Sequence, residues 1–228
     1  MKTRLALAAA LLLGCAQTPA PTPDTSKPQE AHPAPTAAAA SAAKAETKAE
    51  VGKPAPDFTL KDYEGKTVHL ADLRGKTVVL EWFNPDCPFV KASHTKGSLK
   101  ELAKRYAAKG IVWLGVNSSA PGKQGHGPER VAAGKQAFSL DHLILADETG
   151  AVGHLYGATN TPHMYVIDPQ GNLVYRGAID NSPDGEGDSP TGGKLVNYVE
   201  AALDDLAAGR PVATKETKAY GCGVKYGS

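Results

Sequence analysis

Charge of one sign is what this sequence most plainly lacks: 25 Lys and Arg stand against 24 Asp and Glu, a formal net charge of +1. Binding a phosphate backbone takes a clustered basic surface, so this balance gives no footing for a nucleic-acid partner. Cysteine is scarce as well. Cys15, Cys87 and Cys222 lie far apart, which excludes a zinc knuckle, whose four ligands come in close pairs. Gly122-Lys123 lacks the upstream glycine of a phosphate-binding loop, and no dinucleotide-type glycine pattern opens a helix. The stretch Asp180–Asp188 is acidic and Gly-rich but without calcium-loop spacing, so it reads as a solvated loop. Long apolar runs are missing too. Leu5–Leu13 is far short of the roughly 20 residues that a membrane-spanning helix needs.

What is present divides the chain into four parts. Residues 1–15 form an export signal, with Lys2 and Arg4 ahead of the short apolar run. Its end, Leu12-Leu13-Gly14-Cys15, resembles a bacterial lipobox, in which Cys15 becomes the lipid-bearing N-terminus. The other reading is a plain cleaved signal with Cys15 incidental. Lipid attachment would hold the chain in the cell envelope facing the periplasm, and Ala16, where retained lipoproteins often carry Asp, favours the outer membrane. Residues 16–50 are rich in Ala, Pro, Thr and Lys with no aromatic residue; such a composition cannot bury enough surface to offset ordering and reads as a tether. A folded domain follows over 51–212, and residues 213–228 form a tail carrying Cys222.

Within the domain, Thr77–Phe83 is apolar except for Glu81, as suits a central strand covered on both faces. One helix is expected over 88–108, with Leu99, Leu102, Ala103 and Tyr106 as its buried stripe. Strands at 111–116 and 143–145, helices at 128–138 and 150–156, a hairpin across 164–175 and a last helix over 193–208 complete the pattern. Strands that first alternate with helices and then end in a hairpin and a helix imply an α/β fold: a mixed central sheet with helices on both faces.

Cys87 stands where the buried strand ends and a helix begins, and Pro88 suits the first helical turn. A sulfur placed there can face the free N–H groups and positive end of the helix, which favour thiolate and make it a nucleophile. A catalytic account requires that sulfur to be reachable from solvent and turned toward those amides. A lone cysteine that is instead buried and inert is the alternative.

Gly52-Lys53-Pro54-Ala55-Pro56-Asp57-Phe58, the strand ending in Trp82-Phe83, and Cys87-Pro88 resemble the redoxin branch of the thioredoxin-like superfamily. That branch includes alkyl hydroperoxide reductase/thiol-specific antioxidant proteins and membrane-anchored thioredoxin-like reductases. Residues 84–90, 118–125, 161–168, 175–180 and 220–226 resemble an uncharacterised peroxiredoxin-like group within it. The resemblance implies a thioredoxin-like fold and a thiol oxidoreductase acting through Cys87, with a thiol or disulfide protein, a reductant or a peroxide as partner and no cofactor. It also implies that Thr161-Pro162 is a cis-proline loop lying against Cys87 and offering backbone hydrogen bonds to a bound thiol or disulfide.

The sequence departs from the family pattern in two places. Val90 stands where a Cys-x-x-Cys motif has its second cysteine, so Cys87 has no neighbouring resolving thiol. Asn84 stands where peroxidases carry Thr or Ser, and Leu80 where they carry Pro; the Asn amide can donate a hydrogen bond, but the peroxide pattern is not matched. Cys222 is the candidate for a distant resolving cysteine, swinging in on its glycine-flanked tail; a permanent Cys87–Cys222 staple or a pairing between subunits are the alternatives. Glu81 is a candidate proton relay if burial raises its pKa, or else a surface partner of a lysine. Cys87, His94 and His163 together have the ligand chemistry for copper, which leaves a non-catalytic, stapled or copper-binding lipoprotein as the rival function.

Overall fold

The computed structural model describes residues 47–228. The segments expected to be an export signal ending at Cys15 and a tether lie, as far as residue 46, outside the described residues. The domain begins slightly earlier than its expected start at residue 51. Ala49 is already buried, its amide donating to the Leu155 carbonyl and its carbonyl accepting from the Arg176 guanidinium.

In chain order the strands are β1 (Thr59–Asp62), β2 (Thr67–His69), β3 (Val78–Trp82), β4 (Val112–Asn117), β5 (Leu143–Ala146), β6 (Asn160–Thr161), β7 (Met164–Ile167), β8 (Leu173–Gly177) and β9 (Cys222–Gly223). The helices are α1 (Pro88–Thr95), α2 (Leu102–Ala107), α3 (Pro128–Ala137), α4 (Ala151–Tyr156) and α5 (Tyr198–Ala207). Seven strands form one sheet in the order β2-β1-β5-β4-β3-β7-β8, and β6 pairs with β9 in a second, two-stranded sheet. β3, β4 and β5 run parallel, while β7 joins β3 and β1 joins β5 antiparallel. The mixed α/β sheet is therefore the expected one.

β3 lies at the centre because every one of its residues can be covered. Alternate side chains of a strand point to opposite faces. Val78, Leu80 and Trp82 join Leu114, Val116, Tyr156 and Tyr165 in one apolar layer, which α4 covers. Val79 joins Leu102, Trp113, Met164 and Leu203 in the other, beneath α2 and α5. Glu81 follows Val79 on that second face and is buried with it.

Two helices replace the single one expected over 88–108. A side chain at Gly97 would run into the backbone carbonyl of Gly185, so the 180–193 loop docks where the helix would have continued. The chain reverses through Glu101 at φ 55° before α2 begins. Leu99, Leu102 and Tyr106 remain buried across the break; periodicity located the buried stripe but not the interruption. α5 also starts later than expected, at Tyr198, because the Asn197 side chain caps it by accepting the Glu200 amide. Among the described residues no helix is long and apolar enough to cross a membrane.

Candidate functional site

Five residues after the end of β3 the chain reaches Cys87, whose amide donates to the Asn84 carbonyl at 3.1 Å. Cys87 is the N-cap of α1, with Pro88 opening the helix. The Thr161–Pro162 peptide bond is cis. The loop that carries it is held to the end of β3 by the Trp82 amide, which donates to the His163 carbonyl at 2.9 Å. One strand end thus positions both the cysteine and the proline loop. The Cys87 thiol lies 3.0 Å from the Thr161 carbonyl oxygen as a hydrogen-bond donor, and its Sγ lies 2.7 Å from Sγ of Cys222. Both cysteines are free thiols.

Cys222 is brought there by the C-terminal segment, which is held in place along its length. β9 pairs antiparallel with β6, with Cys222 opposite Thr161 and Gly223 opposite Asn160. Beyond β9, the Val224 amide donates to the Thr159 carbonyl and the Lys225 carbonyl accepts from the Ala120 amide. Tyr220 donates its hydroxyl proton to Asp180 at 2.8 Å and lays its ring near Phe89. Tyr226 donates to the Ala158 carbonyl at 2.8 Å and stacks on His154. The glycine-flanked tail expected to swing in is already seated. The pairing of β6 with β9 was missed, because two-residue strands have no readable alternation.

Two conditions set for Cys87 are not met as it stands. Its surface is wholly closed, and its side chain makes no hydrogen bond to the opening amides of α1. The first-turn amide of Phe89 acts instead on the sulfur of Cys222, where it favours the thiolate. Burial, followed by the Cys87 hydrogen bond and charge, nevertheless pushes the Cys222 thiol up to about 11, against the lowering effects of Lys225 and Phe89. Cys222 therefore keeps its proton at neutral pH. Cys87 still forms part of the wall of an open cleft of about 590 Å³, with Pro85, Asp86, Pro88, Lys91, Gln124 and Arg130 around it. Cys87 belongs to a buried apolar cluster with Phe83, Val90, Val131, Phe138 and Ile144, and Cys222 of the chain's own C-terminal segment packs against that cluster on the sulfur.

The other candidates are placed as follows. Asn84 donates through Nδ2 to the Gln124 carbonyl at 3.1 Å and accepts the Asp86 amide through Oδ1, so its amide holds the surrounding loops and is not offered to a peroxide. Glu81 is neither raised in pKa nor paired with a surface lysine. Burial alone would raise its carboxyl, but His94 at 2.8 Å, aided by His142 and Trp113, holds it below the ordinary value. A carboxylate kept ionised by a buried partner is a poor proton relay. The proposed copper ligands do not converge: His94 is turned to Glu81, and Nδ1 of His163 lies at 3.3 Å from both the Thr159 amide and the Tyr165 hydroxyl. Among the described residues, no group of three or more His, Cys, Asp or Glu is arranged to hold a metal ion.

The chain is similar to proteins of thiol chemistry. It is 31% identical over 127 residues to the thiol-disulfide oxidoreductase ResA of Geobacillus thermodenitrificans, covering 56% of this chain and 68% of the relative. It is 34% identical over 138 residues to the thiol:disulfide interchange protein DsbE of Yersinia pestis, covering 58% and 66%. Among solved structures, an uncharacterized conserved protein from Geobacillus kaustophilus matches with a TM-score of 0.67 and 33% identity, over 78% of this chain and 93% of the other. Residues 50–193 match the Redoxin family model, a span that includes Cys87 and the cis-proline loop and stops short of Cys222, and the chain belongs to the Redoxin family.

Proposed function

We propose that this protein is a thiol–disulfide oxidoreductase whose redox couple is Cys87 with Cys222, a pair built across the fold in place of a Cys-x-x-Cys motif. The observation that carries the reading is the 2.7 Å approach of the two sulfurs beside the Thr161 carbonyl and the cis-proline. Cys87 as thiolate attacks one sulfur of a partner's disulfide. A Cys87–partner mixed disulfide forms and the partner's other sulfur leaves as thiolate. Cys222 loses its proton and attacks Sγ of Cys87, which releases the partner as a dithiol and leaves the Cys87–Cys222 disulfide. Two electrons have passed from this protein to its partner, and a thiol reductant must return them; the same steps in reverse oxidise a partner dithiol. The partner is a thiol or disulfide protein.

Export and anchoring belong to the same proposal. Lys2, Arg4, Leu5–Leu13 and the lipobox-like end at Cys15 support a lipid-anchored protein facing the periplasm, a compartment in which disulfides persist.

Reduction of a protein disulfide should be abolished by Cys87→Ser. Cys222→Ser should still attack once and then accumulate a mixed disulfide at Cys87, visible by non-reducing mass spectrometry. Unchanged turnover in Cys87→Ser would overturn the reading, whereas a loss of stability without loss of turnover would identify the pair as a staple.

A further inference from the structure

We propose that residues 219–226 occupy, within the chain itself, the place of an extended substrate segment, and that a protein partner enters by displacing them strand for strand. The inference rests on the oxidoreductase reading and adds to it the binding surface and the form of the partner. Its starting point is β6. This two-residue strand has β9 as its partner, and an edge strand with an exchangeable neighbour is a template for adding an incoming strand. Cys222 lies on β9 directly opposite Thr161, whose carbonyl also meets Cys87. A segment that replaced β9 in the same register would therefore bring its own cysteine to the Cys87 sulfur.

The seated segment also shows what the surface accepts. Two residues before Cys222, Tyr220 sits beside Phe89 with its hydroxyl on the buried Asp180. Four residues after it, Tyr226 occupies a slot that two glycines leave open: a Cβ at Gly150 would come within 2.6 Å of its ring, and one at Gly153 would strike its hydroxyl. Next to the cysteine, Gly221 (φ 111°) passes so close to the Thr161 carbonyl that a side chain there would collide with it. The surface thus fits an extended polypeptide with glycine just before its cysteine and aromatic side chains on either side. The Redoxin match ends at residue 193, so this cover lies beyond the family portion of the chain. Cys87 has no exposed surface of its own while the cover is seated.

The test uses the full-length chain in two forms, Cys222→Ser and Cys222→Ser/Tyr226→Ala, and follows alkylation of Cys87 by iodoacetamide with peptide mass mapping. Losing one half-buried aromatic anchor should shift the local opening equilibrium, so that Cys87 reacts at least about ten-fold faster in the double variant. Hydrogen exchange should rise at residues 159–161 and 222–225 while the amides of β3 and β4 stay protected, which separates lifting of the segment from unfolding of the domain. A synthetic peptide, Ala-Tyr-Gly-Ser-Gly-Val-Lys-Tyr, should bind the double variant and slow its alkylation again, with no effect on a protein whose segment is seated. Equal alkylation rates with raised exchange confined to the tail, or failure of the peptide to protect Cys87, would overturn the proposal. None of these readouts depends on turnover, so they can fail while Cys87 remains essential for disulfide reduction, and the reverse also holds.

Discussion

Glu81 and His94 meet at 2.8 Å with both side chains closed to solvent, and Glu81 also accepts the indole N–H of Trp113 at 3.2 Å. The pair ties the middle of the sheet to α1, the helix that begins at Cys87. Removing His94 leaves the buried Glu81 carboxylate without the partner that holds its pKa down, and an uncompensated buried charge costs about 3–5 kcal/mol. His94→Leu should therefore lower the free energy of unfolding in urea by that amount. Glu81→Gln/His94→Leu removes the charge while keeping an acceptor for Trp113, and should cost less than His94→Leu alone. A double variant at least as destabilised as the single one would show that the pair is not acting as an ion pair.

His142 and His163 both titrate well below an ordinary imidazole, at about 4, in each case because burial disfavours the charged ring. Between the unfolded value near 6.5 and the folded value, the unfolded chain binds more protons than the native one. Stability is therefore fully present above about pH 6.5 and declines as pH falls toward 4. Glu81, lowered in the folded state, adds a loss of the same sign at more acid pH. His69, raised by Asp57 at the surface, works in the opposite sense. The dependence of unfolding free energy on pH should correspond to about one proton for each of these two histidines, and His163→Gln should reduce it by about one. An unchanged slope in that variant would show that His163 is not the group responsible.

Cys222 is held protonated by burial and by its neighbour Cys87, with a pKa of about 11. Its alkylation in the fully reduced protein should then rise about ten-fold per pH unit between roughly pH 7 and 10, as the thiolate fraction grows. In Cys87→Ala the hydrogen bond and charge of the neighbour are gone, so the profile should move to lower pH while remaining above that of an exposed thiol. Mass mapping of the 222 peptide measures both curves. A wild-type profile levelling off near neutral pH would contradict the assignment of the held proton to Cys222.

Gly221 has a positive φ and no room for a side chain against the Thr161 carbonyl. Gly221→Ala should push Cys222 out of register with Thr161. Formation of the Cys87–Cys222 disulfide in a glutathione redox buffer should become slower and less favourable. The thermal midpoint of the reduced protein should move little, because the seven-stranded sheet is not touched. Wild-type disulfide formation in this variant would mean that the register of β9 is not what aligns the sulfurs.

The sequence by itself determined the layered α/β order, because apolar runs and helical stripes such as Thr77–Phe83 and Leu99–Tyr106 encode burial locally. It also marked Cys87 at a strand-to-helix junction, since Pro88 and the preceding apolar run are local signals. Only the tertiary structure decided what that cysteine faces. The closure of Cys87 by Cys222, the commitment of Glu81 to His94, the break of the long helix at Gly97 and the slot for Tyr226 are contacts between segments remote along the chain. No local pattern records such contacts, because each partner taken alone has the composition of an ordinary loop, helix or tail.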